Sequence, residues 1–443
     1  MTVKIIGAGL AGSEAAYQLA KRGIKVDLYE MRPKKMTDAH QTNMFAELVC
    51  SNSLRAIDIT NAVGLLKHEM QELDSLIIKA ANFASIPAGG SLAVDREKFS
   101  LFVEKELTNS EFITIHREEV TKLDEDVYTI IAAGPLVSSS LFMEIEKLIG
   151  KQDLHFFDAI APVIMKDSIN MDICYLKNRY DKGEAAYINC PMTKEEYESF
   201  YYELINAQKV QPKDFENNVF EGCMPVEVMA ERGIQTLTFG PLKPVGLEKP
   251  NGELPYAVVQ LRRDDAANSM YNIVGFQTSL SWGEQKRIVR MIPGLENAEI
   301  VRYGVIHRNT YIESPNILND SFQVINSKKI FFAGQISGVE GYVESAASGL
   351  NAAIQMASLV NENKLVPFPN ETMMGSLAKY VSTPNKSFVP MHANFGIIPE
   401  LNYKHKKKER KEIYARRAND ALLKFKEENH ELFWAFWWLF DYN

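Results

Sequence analysis

The stretch VKIIGAGLAGSEAAYQLAKRGIKVDLYE, residues 3–30, constrains the fold more than any other part of the chain. Val3–Ile6 is a short apolar run of strand character, and Gly7-x-Gly9-x-x-Gly12 follows it directly. The pattern then predicts a helix over Ser13–Lys21, stopped by Gly23, and a second strand over Ile24–Tyr29 that ends at Glu30. Glycines at this spacing permit a tight turn and let the backbone approach a pyrophosphate, which sits at the positive end of the helix. Glu30, 18 residues after Gly12, is placed to accept hydrogen bonds from a ribose diol. Strand, glycines, helix, strand and acid in this order predict a dinucleotide-binding unit.

Two later segments decide which dinucleotide. SKKIFFAGQISGVEGYVESAASGLNAAIQMASLV reads as a strand (Ile330–Ala333), a glycine loop and a helix rich in small residues from about Tyr342. It resembles the second flavin-contacting segment of glutathione-reductase-like flavoproteins, where a helix N-terminus faces the flavin. VYTIIAAGPL, residues 127–136, resembles the strand and Ala-Gly turn of the same superfamily. The three pieces together point to FAD, with Gly7, Gly9, Gly12, Glu30, Gly334, Gln335, Gly341 and Tyr342 as cofactor-binding residues. The fold class expected is α/β: a discontinuous FAD-binding Rossmann domain with an inserted α+β domain. The FAD domain would comprise residues 1–145 and 320–443, and the insertion residues 146–319.

A chain of 443 residues is long enough for two or three domains. The four cysteines show no metal-type or disulfide-framework spacing, the nearest pair being 16 apart, so no metal site is expected and a reducing compartment is. No run approaches a membrane span and no leader pattern is seen, which predicts a cytoplasmic protein with no membrane partner. A net charge of −8 argues against a generally basic nucleic-acid binder but not against a local patch. Such a patch exists: YKHKKKERKEIYARR carries eight Lys/Arg against two Glu between Lys404 and Arg417. It reads either as a solvated helix face or as phosphate contacts to RNA. The terminal ELFWAFWWLFDYN has the spacing of an apolar helix face (Leu432, Phe433, Phe436, Leu439, Phe440), expected to pack on the core.

Cys174 and Cys190 sit in strand-like runs and read as packed residues. Cys50 and Cys223 do not. Cys50 lies in FAELVCSNSLRA, where Ser51-Asn52-Ser53 break the apolar pattern. Cys223, in FEGCMPVEVMAERG, precedes a short helix opened by Pro225 and closed by Gly233. The helix dipole favours a thiolate there, while Glu221 and Glu227 oppose it or offer a base for its proton. A thiolate beside a flavin suggests thiol–disulfide redox, or addition to an electrophilic ring carbon. In the second case, addition at uracil C6 makes C5 nucleophilic towards a one-carbon electrophile.

GAGLAGSEAA, ELVCSNSLR, EGCMPVEVMAERG, HRNTYI, GQISGVEGYVESAASGLNAA and NFGIIPEL with KKKERKEIYARRA together resemble the folate- and FAD-dependent tRNA (uracil-5-)methyltransferase family, TrmFO, from residue 1 to about 425. The fold of that family is similar to that of MnmG (GidA), which modifies the tRNA wobble uridine. The resemblance implies a carbon from 5,10-methylenetetrahydrofolate, reducing equivalents through FAD, and NAD(P)H as reductant. By motif position it implies Cys223 as nucleophile on C6 and Cys50 as a thiol near the flavin, with the two roles exchangeable. His307 would stack on the folate pteridine, Glu340 and Glu344 would contact folate or flavin, and Lys406, Lys407 and Arg410 would hold RNA phosphate. The partner implied is structured RNA: the T-loop uridine of tRNA, or alternatively ribosomal RNA (23S). An MnmG-type wobble-uridine enzyme, a flavin thiol oxidoreductase with a Cys50–Cys223 disulfide, and a non-catalytic RNA-binding flavoprotein are the competing readings.

Overall fold

A computed structural model describes residues 1–443 except 38, 151–152, 160, 182–184, 211–223, 305, 386–387 and 435–443, and except the side chains of 153–159, 306–308 and 434. Its centre is a five-stranded parallel sheet in the order Ile330–Phe332, Thr129–Ile131, Thr2–Ile6, Lys25–Tyr29, Ile113–His116. The three middle strands are covered on both faces, as parallel sheets require, so Val3, Ile5, Val26, Leu28, Ile130 and Ile131 are all buried. The first helix runs Leu10–Ala20, starting earlier than the apolar period suggested because Gly9 is its N-cap. The long helix Tyr342–Glu362 follows the last strand and begins at the same edge of the sheet. These two helices touch backbone to backbone: a Cβ on Gly349 would lie 2.2 Å from the Ala11 carbonyl oxygen.

Between these parts the chain builds a six-stranded antiparallel sheet, with Tyr187–Met192, Ala257–Arg263 and Met270–Ile273 adjacent at its middle. The helix Lys194–Asn206 packs on it, started by a reciprocal capping box between Thr193 and Glu196. The sheet has its own apolar core, separate from that of the parallel sheet. The chain goes out and returns as a paired antiparallel ribbon, Asp153–Ala159 with Ile306–Ile312. A small sheet of Ser53–Ala56, Ser91–Val94 and Ser85–Ile86 flanks the parallel sheet near the Cys50 loop.

Near the C-terminus, helix Arg410–Glu428 packs through Tyr414, Ala418, Leu422 and Phe425. Leu432 is buried and Phe433 meets Phe425 edge-on at 5.8 Å between ring centroids; Phe436, Leu439 and Phe440 lie outside the described residues. Among the described residues, no helix is long and apolar enough to cross a membrane.

Helix Met373–Ser382 is docked by a buried carboxylate: Glu69 accepts from the amides of Met373 (2.7 Å) and Met374 (2.9 Å). Burial pushes Glu69 up to about 8, against the two amide bonds, which act to lower it. A raised folded-state value means stability is fullest below the unfolded value near 4.5 and declines as pH rises towards 8. The stability advantage of wild type over Glu69→Gln should therefore shrink from pH 5 to pH 8, by up to about 1.4 kcal/mol per pH unit. Denaturation of both proteins at the two pH values measures it; a gap independent of pH refutes the assignment.

Candidate active site

A cavity of about 410 Å³ opens along the edge of the parallel sheet where both helices begin. The three glycines of the first turn have three different reasons to be glycine. Gly7 has φ +101°, and a Cβ there would lie 2.4 Å from the Ala132 carbonyl oxygen. Gly12 faces the Gly7 carbonyl oxygen at 1.8 Å from a hypothetical Cβ. At Gly9 a Cβ would meet nothing within 4 Å; it lines the cavity, and that space is where a pyrophosphate can approach the backbone.

Glu30 lies on the cavity wall, just past strand Lys25–Tyr29. It accepts from the amide of Ala8 (3.1 Å) and from Nε of Arg32 (2.9 Å), and Arg32 also donates to Glu47 at 3.0 Å. Burial alone would raise Glu30, but the Arg32 guanidinium and the amides of Arg32 and Ala8 together outweigh this and keep the carboxylate below its ordinary range. It is thus an acceptor held ionised, the state in which it can take ribose hydroxyls.

The second wall comes from the end of the chain. Gly334, Gln335, Glu340, Gly341 and Tyr342 all line the cavity. Gly334 donates its amide to Ser348 Oγ at 2.7 Å, and Gln335 Nε2 donates to Glu340 at 2.7 Å. Tyr342, at the start of the long helix, accepts through its hydroxyl from the amides of Cys50 (2.7 Å) and Ser51 (3.1 Å). Its enclosed setting pushes the phenol well above its ordinary value, and Cys50 beside it adds to the effect. Glu344 is fully buried behind this wall, bound by the Arg55 guanidinium and the Ala393 amide (2.7 Å), and does not itself line the cavity.

The Cys50 loop is held from several sides. Arg96 donates to the Leu48 carbonyl and pairs with Asp264 at 3.1 Å. Asn52, fully buried, donates to the carbonyls of Val94 (3.1 Å) and Arg263 (2.9 Å) and accepts from Arg262 Nε at 3.0 Å. Arg262 also donates to Ser51 Oγ at 2.7 Å. Cys50 itself is partly exposed and lines the cavity. By contrast Cys174 and Cys190 are buried in the insertion, 3.4 Å apart, as their apolar settings implied.

Cys223 and Glu221 lie outside the described residues. The helix that follows, Val226–Glu231, is described, and it corrects the expectation for Glu227. This carboxylate is fully buried and accepts from Thr278 Oγ1 (2.9 Å) and from the amide and hydroxyl of Ser279 (both 2.6 Å). It holds the helix in place and is not free to serve a thiol. The Val226 amide donates to the carbonyl of Gln277, a cavity-lining residue, at 2.7 Å. His307 lies on the ribbon opposite Asp158, two positions before the cavity-lining Asn309; its side chain is outside the description. Lys406, Lys407 and Arg410 are exposed, the last opening helix Arg410–Glu428.

The arginines of the site, Arg32, Arg55, Arg96 and Arg262, escaped the sequence reading. The available signal for Arg262 was a charged residue at the end of the otherwise apolar run YAVVQLRR. The glycine cradle with open space at Gly9, the ionised Glu30 and the helix N-terminus at Tyr342 fit an FAD lying from the first glycine turn to the Cys50 loop.

The family model described as GIDA, Glucose inhibited division protein A, matches residues 2–364. Proteins named methylenetetrahydrofolate--tRNA-(uracil-5-)-methyltransferase TrmFO are similar over nearly the whole chain. That of Acholeplasma laidlawii is 62% identical over 425 residues, covering 96% of this chain and 99% of its own. That of Bacillus subtilis is 60% identical over 425 residues, covering 95% and 98%. Two crystal forms of Aquifex aeolicus GidA share the fold, with TM-scores of 0.69 and 0.71 at 17% and 16% identity, covering 97% of this chain and 73% and 76% of theirs.

The glycines give a paired prediction. Gly12→Ala forces the backbone apart and should lower the melting temperature of the flavin-free protein, at a cost of about 1–3 kcal/mol or more. Gly9→Ala should leave the flavin-free melt unchanged and weaken FAD binding instead. Thermal melts with and without FAD, together with flavin retention on gel filtration, test both.

Proposed function

This chain belongs to the GidA family, among the TrmFO methyltransferases, and on that premise we propose that its tRNA target is the T-loop uridine, methylated at C5. The enzyme is a methylenetetrahydrofolate- and FAD-dependent tRNA (uracil-5-)methyltransferase with NAD(P)H as reductant. The observation that carries the reading is about 60% identity to proteins of that name along nearly the full length of both chains. The likeness to GidA structures at 16–17% identity speaks for the fold alone.

Uracil C5 is a weak nucleophile until a thiolate adds at C6. The electron pair of the C5–C6 double bond then becomes available at C5 to attack a one-carbon electrophile, and loss of the C5 proton with expulsion of the thiolate restores the ring. We assign the C6 addition to Cys223. In support, the helix following it is pinned by Glu227 and by Val226 to the Gln277 segment, which lines the cavity. We assign Cys50 the proton transfer beside the flavin, since its amide is fixed by Tyr342 and its loop by Arg96 and Asn52. Bound FAD supplies the redox chemistry, drawing on the reductant. His307 is assigned to the pteridine of the folate and Glu340 to its polar edge, while Glu344 shapes the wall from behind through Arg55. Lys406, Lys407 and Arg410 are assigned to RNA phosphates, and the compartment is the cytoplasm.

The test supplies FAD-loaded protein, NADPH and methylene-labelled methylenetetrahydrofolate with unmodified tRNA or, separately, a 23S ribosomal RNA fragment. Label at C5 of the T-loop uridine is expected; label only in the ribosomal fragment keeps the chemistry and overturns the target. Cys223→Ala should abolish transfer while retaining FAD and its reduction by NADPH, and should no longer trap 5-fluorouridine-containing RNA covalently. Covalent trapping that persists in Cys223→Ala and vanishes in Cys50→Ala would exchange the two roles. Replacing Lys406, Lys407 and Arg410 with Gln should weaken tRNA binding. The slope of log K against log salt should fall by about 2–3, at roughly 0.7–0.9 for each of the three lost phosphate contacts. Flavin reduction should be unaffected.

A further inference from the structure

Arg262 is more than nine-tenths buried and belongs to the insertion, yet its side chain lines the cavity of the FAD domain. A guanidinium taken out of water is costly unless an anion compensates it, and most buried arginines have a carboxylate partner. Three arginines of this site obey the rule: Arg32 pairs with Glu30 and Glu47, Arg55 with Glu344, and Arg96 with Asp264. Arg262 does not. Its partners are neutral side chains, Asn52 Oδ1 at 3.0 Å, Ser51 Oγ at 2.7 Å and the nearby Tyr187 hydroxyl, and it forms no ion pair among the described residues. The adjacent carboxylate, Asp264, attracts Arg262 through space but is ion-paired with Arg96. Arg262 is therefore a positive charge aimed by its bonds to Asn52 and Ser51, with no ion-paired anion of its own among the described residues.

Its position within the cavity narrows the choice of anion. Ser51, which it touches, shares with Cys50 the hydroxyl of Tyr342, so Arg262 lies at the end where the long helix begins, away from the Gly9 and Glu30 cradle. A dinucleotide with its pyrophosphate at Gly9 reaches this end with its flavin ring, not its ribose diol. Two positive features then face the same place: the helix N-terminus and the guanidinium. Transfer of a hydride brings two electrons and one proton to the ring, leaving one negative charge unless a second proton follows.

We propose that Arg262 is the counter-charge for the flavin ring in its anionic, reduced form, supplied by the insertion across the domain boundary. The inference rests on the FAD-dependent reading above. It makes Arg262 a group that sets how readily the cofactor accepts electrons, through charge and independently of RNA or folate.

Sulfite is the probe, because it adds to the oxidised flavin ring and leaves a negative charge on its pyrimidine portion without any substrate present. FAD-loaded wild type, Arg262→Gln, Arg262→Lys and Ser51→Ala are titrated with sulfite, and the midpoint potential of each is measured. Arg262→Gln should bind sulfite about tenfold or more weakly and have a potential lower by about 30 mV, the two-electron equivalent of tenfold. Arg262→Lys, keeping the charge, and Ser51→Ala, losing only a neutral contact, should stay within about threefold of wild type. Unchanged sulfite affinity and potential in flavin-loaded Arg262→Gln overturns the proposal, as does an equal loss in Ser51→Ala, which would mean that loop position rather than charge is responsible. Should Arg262→Gln not hold flavin, Arg262→Lys decides: near-wild-type values support the charge, and a tenfold loss refutes it. Failure of FAD to bind wild type at all would instead overturn the underlying reading.

Discussion

Everything at the cavity depends on one close approach between backbones. Ala11, in the first turn of the helix after the glycine motif, meets Gly349, in the second turn of the helix from the far end of the chain. With no side chain between them, the two helices lie against each other, and Gly334 makes a second contact with the Ala11 methyl. Both helices follow parallel strands of one sheet, so both N-termini emerge at the same edge. The partial positive charges of two helix ends are thereby directed into one cavity, one end suited to a pyrophosphate and the other to the ring it carries. A larger residue at Gly349 would separate the helices and pull the two ends of the cofactor site apart.

The second dependence is polar and crosses the domain boundary. Asn52 bonds the carbonyl of Arg263 and the guanidinium of Arg262, and Asp264 holds Arg96, which in turn holds the Leu48 carbonyl. Three consecutive residues of the insertion thus fix the loop that presents Cys50. Hydrogen bonds of this kind contribute little net stability each, but leaving any one donor buried and unmet costs more than the bond gains. The network therefore specifies a single loop conformation more than it strengthens the fold. It also makes the thiol's setting depend on how the insertion is seated.

What could be read from the sequence was what obeys local rules. The glycine turn, the acid after the second strand and the helix beginning near Tyr342 are backbone statements, and each is visible within about 30 residues of sequence. The helix after Pro225 was visible for the same reason. Glu227 was not: beside a cysteine it looked like a competitor or a base, whereas Thr278 and Ser279, some fifty positions later, take up its carboxylate. Arg262 was hidden similarly, since its partners Asn52 and Ser51 are over 200 positions earlier. Spacing reveals which residue types a backbone turn demands. It does not reveal which distant residue completes a charge.

The same limit applies to the basic stretch, whose composition gave two readings and whose placement adds an argument for one of them. Helix Arg410–Glu428 is seated on helix Ala62–Glu72: Lys426 donates to the Glu72 carbonyl at 2.8 Å, and His68 meets Asn419 at 3.2 Å. One residue before His68, Lys67 sends its ammonium to the carbonyls of Leu54 and Ala56, both at 2.6 Å, the strand that continues the Cys50 loop. Helix Ala62–Glu72 therefore stands between the helix that Arg410 opens and the strand that continues the Cys50 loop. A helix that holds an RNA backbone must lie at a fixed distance from the base being modified, because displacing reacting atoms by an ångström is enough to slow transfer severely. Helix Arg410–Glu428 is bonded to helix Ala62–Glu72, and that helix to the strand after the Cys50 loop, which is the kind of placement the proposed RNA contacts require.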